Sequence, residues 1–161
     1  MNHAQKAREL FLSGCSCSQA VFAAFADDFG MDQDTALKLA SSFGGGMGRL
    51  REVCGAASGM FAVAGLLKGY DDPKAKEEKA EHYALIQNLA GEFKKENGMS
   101  IRAYCNDLKL EDAKKLLLHT DSSVTEIAFD VGFHDASYFI FLFKKRFGLS
   151  PLQFRRKNAP L

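Results

Sequence analysis

The chain is predicted to be all-α, with a helical bundle over residues 1–110 followed by a helix-turn-helix unit over residues 111–161. Three observations carry this. Ahead of Leu108 there is almost no strand-like alternation, while apolar residues recur three and four apart. Glycine closes one periodic run after another, at Gly14, Gly30, Gly44, Gly98, Gly132 and Gly148. Between Ser123 and Lys157, three helix starts and two helix stops follow in close succession, and the character of the chain changes just before them, near Leu108 to Asp112.

In order, His3 to Phe11 is expected to form a short helix ended near Gly14, and Cys17 to Phe29 an apolar helix ended by Gly30. Asp32 or Asp34 is placed to cap a third, TALKLASSF, which stops at Gly44, Gly45 and Gly46. A fourth is expected from about Leu50 to Leu67. Its small residues, Gly55, Ala56, Ala57, Ser58 and Gly59, let another helix approach closely, which makes it central to the bundle. Asp72 and Pro73 read as cap and first position of a long helix ending at Gly98, with Ala80, Tyr83, Ile86, Leu89, Ala90 and Phe93 as its inward stripe. Ser100 is placed to cap a short helix through Tyr104 and Cys105, and Glu111 to His119 to form the helix that enters the C-terminal unit.

In that unit Ser123 and Glu126 have the spacing of a capping box, and Val124, Ile127, Ala128 and Val131 share one face up to Gly132. The small Ala128 allows the two helices of the motif to cross in close contact. Asp135 caps the next helix, whose apolar stripe is Phe139, Leu142 and Phe143, and Ser150, Pro151 and Gln153 open a last one. A motif of this kind lays its second helix in the major groove of duplex DNA. Ser137 and Tyr138, near the start of that helix, are then the base-facing candidates. Lys144, Lys145, Arg146, Arg155 and Arg156 are the phosphate-facing ones, because cations supply the sequence-independent part of DNA affinity.

Composition alone announces no partner, since the formal net charge of the 161 residues is +1. The distribution is more telling. From Glu111 onward eight Lys and Arg face six Asp and Glu, and all six acids lie at or before Asp135, so the tail is basic. The N-terminal residues MNHAQKAREL lack the pattern of a secretory signal, and the uncharged run Val53 to Leu67 is too short and too rich in glycine and alanine to span a bilayer. A cytoplasmic protein is the expectation. Gly44 to Gly48 is not preceded by a strand or followed by Gly-Lys-Ser/Thr, so it reads as a turn and not as a phosphate loop. No catalytic constellation stands out.

Four cysteines, Cys15, Cys17, Cys54 and Cys105, all precede the helix-turn-helix. In a chain expected to be cytoplasmic, thiol redox chemistry or metal ligation is a sharper reading than disulfide scaffolding. Cys17 and Cys54 each fall near a predicted helix N-terminus, where backbone N–H groups favour negative charge, with Arg49 and Arg51 close before Cys54. The plain alternative is that free cysteine packs as a small hydrophobe, and for Cys15 and Cys105 this carries more weight. A thiolate-bound metal ion is the cofactor such a set would suit.

The strings AKKLLLHTDSSVTEIAFDVGF, DASYFIFLFKKRFG and SPLQFRR, from Ala113 to Arg156, resemble the second helix-turn-helix of the AraC/XylS family of transcription regulators. The resemblance implies a DNA-binding regulator. It also marks two departures: nothing before Ala113 looks like the first unit of such domains, and Ile140 and Phe141 stand where a Ser-Arg-like pair is common, so they offer no donor to a base edge. The strings GCSCSQAVFAAF, FGGGMG, CGAASG, GLLKGY and AYCNDL, from Ala7 to Leu108, resemble a redox-active bacterial family named for its C, GCAxxG, C, C arrangement. On that resemblance Cys17, Cys54 and Cys105 match the first three cysteines, with Gly55, Ala56 and Gly59 completing a motif that here reads CGAxxG. The fourth cysteine, expected beyond Cys105, is absent.

Two functions of different class follow as expectations. The first is a regulator that binds double-stranded DNA as a homodimer, with no membrane partner, its N-terminal bundle sensing thiol oxidation or a metal. The second is a redox or metal-handling protein in which the helix-turn-helix is structural and Ile140 and Phe141 are packed away.

Overall fold

The structure, a computed structural model, describes residues 2–158. The described residues form nine α-helices and no strand: α1 His3–Leu12, α2 Cys17–Ala23, α3 Gln33–Ser41, α4 Gly55–Lys68, α5 Lys76–Asn97, α6 Ile101–His119, α7 Val124–Asp130, α8 Ala136–Phe147 and α9 Pro151–Asn158. The expected all-α fold is what forms. The chain divides into two compact units, Met1–Arg102 and Ala103–Leu161. No helix among the described residues is long and apolar enough to cross a membrane.

In the first unit, α2 packs against α1, α3 and α4. Its core joins Phe22, Ala23 and Ala26 to Ala36, Ala40 and Val63. The predicted helix from Cys17 to Phe29 is broken: α2 stops at Ala23, and Ala26–Phe29 winds as a tighter 3-10 turn ended by left-handed Gly30. Tertiary contacts with α1 account for this. Lys6 Nζ lies 2.7 Å from an Asp27 oxygen, His3 Nε2 lies 2.7 Å from an Asp28 oxygen, and the His3 ring stacks on Phe25 at 4.0 Å. Asp32 is the cap of α3, its carboxylate accepting from the Thr35 N–H at 2.9 Å.

The helix expected from Leu50 begins at Gly55. Between α3 and α4 the backbone turns left-handed at Gly45, Gly46, Met47, Gly48, Arg49 and Arg51, and a right-handed helix does not run through such residues. The start of α5 also differs. Asp72 spends its side chain on the Lys74 N–H, closing a turn around Pro73, and α5 begins at Lys76 without a side-chain cap. Nor is its stripe a buried one: no residue of α5 is buried, Ala80 and Tyr83 are exposed, and Ile86, Leu89, Ala90 and Phe93 are half-covered. Gly98 ends it in the left-handed conformation, as glycine spacing predicts.

The two short helices expected around Cys105 and Glu111 are one continuous helix, α6, lying almost wholly in the second unit. Leu110, Ala113 and Leu117 form one wall of a core closed by Ile127, Ala128, Val131, Phe133, Phe139 and Phe143. That packing is why the helix does not break near Asp112. Ala128, with no exposed surface, lies where α7 and α8 meet, and its carbonyl accepts from the Phe133 N–H at 2.9 Å. Lys109 reaches the turn from α6: its ammonium donates to the Gly132 carbonyl and sits 5.4 Å from the Phe133 ring centre.

The capping box forms as its spacing predicts, Ser123 Oγ accepting from the Glu126 N–H at 3.1 Å and Glu126 accepting from the Ser123 N–H at 2.7 Å. That bonding to the Ser123 amide, then to its hydroxyl, holds the Glu126 carboxyl below its ordinary value. A depressed folded-state value gives stability above the unfolded value that is lost as pH falls through the folded one. Amide exchange in the first turn of α7 is therefore expected to quicken on acidification, and the Glu126→Gln variant to lose that pH dependence. Ser123→Ala is expected to cost about 1 kcal/mol at neutral pH. Unchanged protection in both variants would contradict this account of the cap.

Candidate functional site: a cradled thiol and an outward recognition helix

The first site is built where α2 begins. Ser16 caps α2 and forms a box with Gln19, whose side-chain amide also donates to the Leu37 carbonyl at 3.1 Å. Ser18 is fully buried and donates to the Ala40 carbonyl at 2.8 Å. These bonds fix the Cys-Ser-Cys-Ser segment against the end of α3. Glycines then receive it. A Cβ built on Gly44 would fall 2.8 Å from Ser16 Cβ, one on Gly59 2.9 Å from the Ser18 carbonyl oxygen, and one on Gly55 2.6 Å from Cys17 Sγ. The Cys17 thiol thus lies directly against Gly55, the residue after Cys54, and Cys54 is the N-cap of α4.

Cys17 and Cys54 are brought to one corner of the first unit, both half-buried. Cys15 is half-buried two residues ahead of Cys17, and Cys105 lies in α6, in the second unit. Ser58, one turn into α4, donates to the Cys54 carbonyl at 3.1 Å. It also borders an apolar cavity of ≈ 250 Å³ walled by Phe22, Leu39, Phe43, Ala62 and Leu66. The expectation of a thiolate-bound metal finds no support in the geometry: among the described residues no group of three or more His, Cys, Asp and Glu is disposed to hold an ion.

The second site is α8. Asp135 caps it, accepting from the Tyr138 N–H at 2.6 Å. Phe139 and Phe143 turn inward, and Phe143 meets Phe139, Phe147 and Phe154 at 5.7, 4.6 and 5.6 Å. The opposite face is open to solvent: Ser137, Tyr138, Ile140, Phe141, Lys144 and Lys145 are all exposed. Ile140 and Phe141 are 38% and 61% exposed within the chain.

The five cations divide. Lys144, Lys145 and Arg156 are exposed, with Arg156 on α9. Arg146 is drawn to α6, its Nε donating to Asp107 while its Nη2 lies 3.7 Å from a Glu111 oxygen. Arg155 is half-buried and donates to the Leu117 carbonyl at 3.2 Å and the Ser122 carbonyl at 2.6 Å. It clamps α9 to the end of α6 and the start of the motif. Sequence spacing does not separate such a clamp from a phosphate contact, because both are arginines after a helix cap. The roles of Ser18, Gln19 and Lys109 were equally hidden, each depending on a carbonyl far along the chain.

Fold and sites together define an all-α protein joining a thiol-bearing helical unit to a helix-turn-helix. Residues 15–127 match the family model described as "Putative redox-active protein (C_GCAxxG_C_C)", and the chain belongs to that family. Residues 117–156 match the model of bacterial regulatory helix-turn-helix proteins of the AraC family. The matches overlap on α6 and α7, as suits helices that enter one core.

Among curated proteins, the chain is similar to the HTH-type transcriptional activator RhaS of Escherichia fergusonii, 37% identical over 95 residues, 58% of this chain and 34% of that protein. The RhaS of Salmonella arizonae is 40% identical over 81 residues, 50% of this chain and 29% of that one. The chain spans about a third of the length of these relatives. The 95-residue match is longer than the stretch from Ala113 to Leu161, so the likeness to the activators also takes in residues before Ala113. The structure of the xylose-binding transcription activator xylR aligns at a TM-score of 0.41 and 22% identity, covering 89% of this chain and 26% of that one.

Proposed function

We propose that this protein is a DNA-binding transcription regulator that acts as a homodimer and whose N-terminal helical unit senses thiol oxidation at Cys17 and Cys54. The observation that carries the reading is the open face of α8, with Ser137 and Tyr138 at its start and Lys144 and Lys145 at its end. A helix seated in the major groove presents its first turns to base edges and its flanks to phosphates. A single such helix is a weak reader, and a dimer presents two at the spacing of neighbouring grooves. The exposed Lys144, Lys145 and Arg156 are the phosphate contacts of this reading; Arg146 and Arg155 contribute mainly by holding α8 and α9 on α6.

The test is a binding titration of the full chain on duplex DNA at several salt concentrations, before and after treatment with a two-electron thiol oxidant. Specific binding with a steep salt slope is expected. The Lys144→Ala/Lys145→Ala double variant is expected to bind about tenfold more weakly at 0.1 M salt and to lower the slope by about 2 per subunit. Oxidation is expected to change the affinity of the wild type and leave that of Cys17→Ser unmoved. No binding at low salt by folded protein would favour the second reading, a redox protein with a structural helix-turn-helix. The internal bonding of Arg146 and Arg155 is the observation on that side.

A further inference from the structure

The outward face of α8 carries two large apolar side chains where a DNA reader ordinarily carries hydrogen-bonding groups. Ser137, Phe141 and Lys144 fall at i, i+4 and i+7 and so lie along one ridge, with Ile140 beside Phe141. Phe141 is at the middle of that ridge and keeps 61% of its surface exposed, and Ile140 keeps 38%. Nothing in the core needs them. Phe139 and Phe143, on the inward side, are fully buried, and the aromatic cluster closes without either outward residue. The charge around the pair indicates what covers it. Beyond Phe141 the ridge is cationic through Lys144 and Lys145, and the opening turn ends in a hydroxyl at Ser137. A partner with an apolar strip bounded by anions matches this order. The major groove has that composition wherever thymines line its floor, since each exposes a C5 methyl group between two phosphate backbones.

We infer that α8 recognises double-stranded DNA through thymine, with Phe141, flanked by Ile140, covering C5 methyl groups, so that specificity comes from apolar contact more than from hydrogen bonds to base edges. This rests on the DNA-binding reading and states what that reading selects. Lys144 and Lys145 set the depth and register of the helix, and Ser137 is left to accept or donate at a neighbouring base.

The experiment selects binding sites from a random duplex pool with the full chain, then replaces single thymines in the selected site by deoxyuridine, which removes only the methyl group. At one or two positions per half-site, the replacement is expected to weaken binding about fourfold, the equivalent of burying one methyl-sized apolar group. Phe141→Ala, a change at an exposed position, is expected to bind thymine and deoxyuridine duplexes alike at those positions. Specific binding that is indifferent to every methyl group would overturn the inference and leave the DNA-binding reading standing, with the apolar pair free for a protein partner. The inference fails equally if Phe141→Ala and Ile140→Ala both keep the full thymine preference. A pool that shows no enrichment would overturn the reading beneath it, and the inference with it.

Discussion

Replacing Phe143 with alanine is expected to cost the second unit about 3–5 kcal/mol, the range seen when a large ring is cut from a close-packed core. Phe143 has no exposed surface and touches rings contributed by α8 itself and by α9. Its removal opens a cavity that these helices cannot close without moving, because the backbone of α8 is pinned at one end by the Asp135 cap and at the other by left-handed Gly148. A unit of this size has a stability of only about 3–9 kcal/mol, so the loss takes most of it. Hydrogen exchange read on peptides separates the outcomes. Peptides of α6 to α9 are expected to exchange rapidly in Phe143→Ala while those of α2 and α4 stay protected, and specific DNA binding is expected to disappear. Phe143→Leu, which refills much of the space, is expected to retain most of both. Full protection of α9 in the alanine variant would show that the aromatic cluster does not hold the unit together.

The contrast between this unit and the first shows what a sequence discloses. Ser123 with Glu126 and Asp135 as the cap of α8 were legible because a cap and its partner lie three residues apart, so the interaction is complete within one turn; at α3 the same rule left Asp32 and Asp34 both open. The α7–α8 core was legible for a related reason: Ile127, Ala128, Val131, Phe139 and Phe143 mark their own faces by helical spacing. The stop of α2 at Ala23 was not legible, because it depends on His3 and Lys6 reaching Asp28 and Asp27 from another helix. The late start of α4 depends on left-handed Met47, Arg49 and Arg51, conformations that side chains of these types do not advertise. On α5 the period predicts a face, but period says nothing about how much protein is there to cover it. The basic residues of α8 and α9 were legible as residues, yet which of them bond within the protein depended on Asp107, Glu111 and the Leu117 and Ser122 carbonyls.

At the thiol corner the decisive residue is a glycine, and Gly55→Ala is expected to disturb the seat of Cys17 directly. The new Cβ would fall 2.6 Å from Cys17 Sγ and 2.7 Å from the Phe43 carbonyl oxygen, both closer than real Cβ atoms come. One of these groups must move. The Phe43 carbonyl belongs to the chain entering the left-handed turn, where Gly46 has no room either: a Cβ there would lie 2.4 Å from the Val53 carbonyl oxygen. Retreat of the carbonyl is therefore resisted, and the thiol, a single rotatable group, is the part that yields. Overpacking of this sort costs about 1–3 kcal/mol. The variant is expected to melt earlier and to expose Cys17, so that Cys17 alkylates faster than in the wild type while Cys105, in the other unit, keeps its rate as an internal reference. Oxidant is then expected to lose its influence on DNA affinity, since Cys17 no longer lies beside the residue that follows Cys54. If alkylation of Cys17 and the response to oxidant are both unchanged in Gly55→Ala, the cradle does not position the thiol, and sensing at this corner is ruled out.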